Sequence, residues 1–65
     1  MKELEAARDA LRAMGHPARL ERVRAWTWWL RAVDAVVTDA PPEVVAQLLP
    51  GTRWEPMAGS CRAFF

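Results

Sequence analysis

The stretch PARLERVRAWTWWLRAVDAVVT, residues 17–38, carries three of the chain's four tryptophans. Its reading decides the fold of a chain of only 65 residues. At about 100° per residue, Leu30, Val23, Val37, Trp26, Val33, Trp29, Val36, Ala25 and Ala32 fall within about half of a helical circumference. Glu21, Arg24, Thr27, Arg31 and Asp34 take the other half. This amphipathic division predicts a helix over residues 17–38. Trp26 and Trp29 then belong to its core face. Trp28 falls on the polar half, flanked by Arg24, Arg31 and Ala35.

Working outward, Gly15-His16-Pro17 reads as a bend between two helices. Glycine takes the left-handed conformation after a helix end, and proline suits the first turn of the next helix. Before the bend, residues 2–14 read as a helix rich in Ala, Leu, Glu and Arg. Leu4, Ala7, Leu11 and Met14 form one ridge on it, widened by Ala6, Ala10 and Ala13. Beyond residue 38, Thr38-Asp39-Ala40-Pro41-Pro42 breaks the chain and restarts it, since proline is tolerated in a first helical turn. A short third helix follows over 42–49, apolar at Val44, Val45, Leu48 and Leu49 and stopped by Pro50-Gly51. The tail TRWEPMAGSCRAFF has no helical period. Ala58-Gly59-Ser60 reads either as the turn of a hairpin pairing residues 52–55 with 61–65, or as part of an extended tail laying Trp54, Met57, Phe64 and Phe65 over the helices. The expected fold is all-α: a single domain over 1–65, a small bundle of three helices (2–14, 17–38 and 42–49) with an irregular or hairpin C-terminal tail packed on it.

Composition narrows the function. A chain that is 52% hydrophobic and 26% charged is globular, not disordered. With one Lys against eight Arg and no Ile, Asn or Tyr, it reads as the product of a GC-rich bacterial or phage gene. Cys61 is the single cysteine, so no intrachain disulfide forms and a reducing cytoplasm is the expected compartment. His16 and Cys61 are the only soft metal ligands, where a structural zinc site wants about four; no metal and no cofactor are expected. Lys2, Glu3, Glu5, Arg8 and Asp9 stand where a signal peptide would be apolar. The charge-free runs are far shorter than the roughly 18–20 residues of a membrane span.

No nucleophile, base and orienting group fall into a catalytic arrangement, and no phosphate loop is present, so the chain does not read as an enzyme. His16 reads as a turn residue, Cys61 as a small packing residue. The charges are polarised. Residues 12–31 hold five arginines against Glu21, a balance of +4, and residues 32–50 hold Asp34, Asp39 and Glu43, a balance of −3. Such polarity suits self-association or nucleic acid. Arg19, Arg22 and Arg24 are the candidate phosphate contacts, with Glu21–Arg24 and Arg31–Asp34 as helical i,i+3 ion pairs in the plainer reading.

Residues 11–26, LRAMGHPARLERVRAW, resemble the N-terminus of winged-helix repressors of the ArsR kind, in which a helix, a Gly-His/Asp-Pro turn and an apolar periodic helix recur. The resemblance implies a DNA-binding regulator, with PPEVVAQLL as the first helix of a helix-turn-helix and Arg53 and Arg62 flanking a wing-like turn. The chain departs from that family where a recognition helix should follow, because Pro50-Gly51 and the tail stand there instead.

The apolar stripe over 17–38 is wider than two short helices cover. This surplus predicts a two-fold dimer packing its second or first helices antiparallel. Trp28 between Arg24 and Arg31 has the Trp-plus-Arg chemistry of an interface hot spot. Phe64-Phe65 either fold back or form a tag captured by a partner. The leading expectation is a small helical protein-binding module, dimeric and cytoplasmic. It would act as inhibitor or adaptor by occupying a surface of a larger protein, in the general character of small phage-encoded inhibitors of host proteins. The DNA-binding regulator is the alternative.

Overall fold

The computed structural model describes residues 2–24 and 32–65, with Arg24 described by its backbone alone. Its elements run α1 (Lys2–Ala13), β1 (Ala18–Arg24), β2 (Ala32–Thr38), α2 (Pro42–Leu48), β3 (Trp54–Pro56) and β4 (Arg62–Phe64). The strands form one antiparallel sheet in the order β1-β2-β4-β3. The fold is therefore α+β. The all-α expectation is wrong at one place, the helix over 17–38.

The described parts of that stretch, Ala18–Arg24 and Ala32–Thr38, are two antiparallel strands paired with each other. Their register runs from Ala18 opposite Thr38 to Arg24 opposite Ala32 without a bulge. Two physical features give these strands a helical pattern. First, both faces of β2 are covered, so Ala35, Val36, Val37 and Thr38 are buried in succession, and a strand buried on both sides shows no alternation. Second, the residues joining the two strands contain no Gly, Pro, Asn or Asp to announce a turn. The valines at 23, 33, 36 and 37 favour the pleated surface they occupy. The assignment of Trp26 and Trp29 to the core lies outside the described residues.

The apolar area that seemed surplus for a bundle is shared between the two faces of the sheet. On one face, Ala18, Val36 and Phe64 pack with Ala7 and Leu11 of α1 and with Ala40, Val45 and Leu49; Leu4, Leu20, Val44 and Leu48 close the edges. On the other, Ala35, Val37 and Ala63 are buried, with Val23, Met57, Cys61 and Phe65 against them. A dimer of helices is therefore not needed to cover this apolar area.

Both flanking helices stand where the sequence puts them. α1 carries Glu3 and Glu5 in its first turn and Arg12 in its last, complementing its dipole. A hydrogen bond from its own backbone N–H, chiefly, holds the Glu3 carboxyl below the ordinary carboxylate value. A depressed carboxyl stabilises the helix start at neutral pH and loses that effect as pH falls through its folded value. Gly15 takes φ +90° just past the helix end, as expected. Met14 does not join the ridge, being 53% exposed. Pro17 leads into β1 and not into a helix. Thr38, fully buried, ties the corner: its hydroxyl donates to the Pro17 carbonyl at 2.8 Å and accepts from the Ala40 N–H at 3.2 Å. His16 Nδ1 lies 3.4 Å from Asp39 Oδ1, so the two turns flanking the paired strands are also linked by side chains.

The tail forms the hairpin, Trp54 opposite Phe64 and Pro56 opposite Arg62, of the two readings its sequence allowed. Beyond the strand ends, Arg53 and Phe65 exchange backbone hydrogen bonds at 3.1 and 2.9 Å.

Candidate functional site

The C-terminal hairpin presents the most exposed aromatic ring among the described residues. Trp54 points to the helix-bearing face of β3, directly across from Phe64, with ring centroids 6.5 Å apart and planes tilted by 43°. Phe64 is 2% exposed and Trp54 46%, so the buried ring is a floor for the open one. Arg62, two residues before Phe64 on the same face, lies diagonal to Trp54 and sets its guanidinium carbon 5.1 Å from the indole centroid. A tilted aromatic pair is worth about 0.5–1.5 kcal/mol beyond area, and an exposed cation–π contact about 0.5–1 kcal/mol. Together these hold the indole in one pose while leaving nearly half of it to solvent, which lowers the ordering cost of binding.

Among the described residues, a Trp-plus-Arg pairing stands at Trp54 and Arg62. Trp28 and Arg31 lie outside the described residues, and Arg24 is placed only by its backbone, opposite Ala32 at the end of β1. Phe64 is folded back into the core, and Phe65 is half-buried on the opposite face of the sheet among Val37, Ala63 and Met57. The signal for Trp54 and Arg62 was legible: once the tail is read as a hairpin about Ala58-Gly59-Ser60, period-two alternation brings residues 54, 62 and 64 onto one face.

Of the arginines proposed as phosphate contacts, Arg19 and Arg22 lie on opposite faces of the sheet, and the Arg24 side chain lies outside the described residues. Arg19 Nε is 2.9 Å from Glu21 Oε2 on the face away from the helices, and Arg22 Nε is 3.3 Å from Asp34 Oδ1 on the helix face. Strand alternation separates them, and these cross-strand and i,i+2 pairs stand where helical i,i+3 pairs were expected. Arg12 Nε donates to the Ala18 carbonyl at 2.9 Å and ties α1 to β1. Among the described residues, no three His, Cys, Asp or Glu side chains gather as a metal site. No helix there is long and apolar enough to cross a membrane.

Comparison with protein-family models, with curated proteins and with solved structures finds no match for this chain.

Proposed function

We propose that the protein is a small protein-binding module, an inhibitor or adaptor that occupies a surface of a larger partner, with Trp54 and Arg62 as its anchor. The observation that carries this reading is an indole braced by a buried phenylalanine and an arginine yet 46% exposed. Trp and Arg dominate interface hot spots because each offers large area or several donors at small ordering cost. The separation of Arg19 from Arg22 on opposite faces supports a protein partner over a nucleic-acid track. A reducing cytoplasm is the compartment that suits its lone thiol, Cys61.

The test compares wild-type and Trp54→Ala baits in a pull-down from bacterial lysate, followed by titration of the captured protein. Loss of a 2 kcal/mol anchor weakens affinity about 30-fold, and Arg62→Ala weakens it less. A captured partner that binds the folded Trp54→Ala chain as tightly as wild type overturns the assignment.

A further inference from the structure

The two edges of the sheet are built differently, and the difference follows from the hydrogen-bond parity of its ladders. Arg53 and Phe65 bond each other, as Met57 bonds Cys61, so the odd-numbered residues of β4 face β3 and Phe64 and Arg62 face β2. Val36 and Thr38 must then turn toward β4, and Val37, Ala35 and Val33 toward β1. Their partners Arg19, Glu21 and Val23 face inward. The N–H and C=O groups of Ala18, Leu20 and Arg22 therefore point out of the sheet. On the far side the outward residues are Trp54 and Pro56. That edge is three residues long and lacks a donor at Pro56, two of the devices that keep an edge from pairing. β1 is seven residues long and has no proline.

We propose that β1 is a self-association edge, on which a second copy of this chain pairs its own β1 antiparallel about a two-fold axis centred on Leu20, giving one continuous eight-stranded sheet. Two-fold pairing brings opposite one another only residues of equal parity, and the outward groups must be even-numbered, so few registers exist. Centring on Arg19, Glu21 or Arg22 sets like charges directly opposite. Centring on Leu20 sets Arg19 opposite the second copy's Glu21, and Glu21 opposite its Arg19, on the face free of helices. Both pairs fall at non-hydrogen-bonded positions, where side chains approach most closely. Leu20 meets Leu20 at the axis, and Ala18 meets Arg22 on either side, each pair exchanging two backbone hydrogen bonds. The Ala18 carbonyl keeps its bond to Arg12, since a carbonyl oxygen accepts twice. Arg19 and Glu21 already neutralise each other within one chain, so association exchanges partners without stranding a charge.

The register makes an exchange experiment decisive. Arg19→Glu and Glu21→Arg chains each place two like-charged pairs at the axis, and each self-associates at least about tenfold more weakly than wild type, as two contacts change sign. Mixed in equal amounts they restore both opposite-charge pairs, and a heterodimer forms with near wild-type affinity. Sedimentation equilibrium up to about 1 mM chain reads the masses, a range in which even weak association is populated. Amide exchange on the wild type provides an independent readout, the Leu20 and Arg22 N–H groups slowing as concentration rises. A Trp54→Ala chain, altered at the other edge, self-associates as wild type does, which separates this proposal from the partner-binding one. A wild-type chain that is monomeric throughout, single variants that associate as well as wild type, or association without slowing at Leu20 and Arg22 each overturn the proposal.

Discussion

Thr38 shows how much one buried hydroxyl can specify. Its oxygen reaches the Pro17 carbonyl and the Ala40 N–H from the last position of β2, so it fixes where β1 begins and where the chain departs toward α2. Thr38→Val keeps the shape and removes both bonds. The expected cost is about 1–3 kcal/mol, the penalty for leaving buried backbone groups unmet; urea unfolding followed by fluorescence measures it. Trp54→Ala belongs to the same scale with the opposite signature. The indole is largely outside the core, so its removal is expected to cost stability about 1 kcal/mol, the size of its ring contacts, while abolishing most partner binding. A Thr38→Val chain that unfolds like wild type would sink the account of the corner.

Among the elements, what the sequence disclosed and what it hid divide along a physical line. α1 and α2 were legible because one face of each is polar, and the 3.6-residue period shows only against that contrast. Gly15 and Pro41-Pro42 marked their limits. β1 and β2 were hidden because β2 is buried on both faces and the connection between the strands carries none of the usual turn residues, so valines spaced for two sheet faces also satisfied one helical stripe. The C-terminal hairpin was half legible, through Ala58-Gly59-Ser60, and with it the Trp54–Arg62 site. The pairing of β1 with β2 has a direct test. Arg22 and Asp34 face each other across the strands, at the close, non-hydrogen-bonded spacing of about 4.5 Å between Cα atoms, whereas in a helix twelve residues would separate them by about 18 Å. In a Cys61→Ser background, Arg22→Cys with Asp34→Cys is expected to form an intrachain disulfide rapidly under mild oxidation, read by mass spectrometry. Persistent free thiols would restore the helical reading.

For the molecule as a whole, size sets the margin. At about 0.05–0.15 kcal/mol per residue, a domain this small is stable by about 3–10 kcal/mol. Leu11 is fully buried between α1, the sheet and α2, and truncating such a side chain costs about 2–5 kcal/mol. Leu11→Ala is thus expected to remove a large share of the total, with a lowered midpoint and a substantial unfolded fraction at 37 °C by circular dichroism. An unchanged midpoint would mean that α1 is not needed to cover the sheet. Spatial order differs from chain order in one respect that governs assembly: β4 lies later in the chain than β3 yet sits between β3 and β2. During vectorial synthesis β3 therefore emerges with no neighbour to join. Until Arg62–Phe64 has been made and slotted in, Trp54 has neither its phenylalanine floor nor its arginine, so the anchor proposed above takes shape only after β4 has joined the sheet.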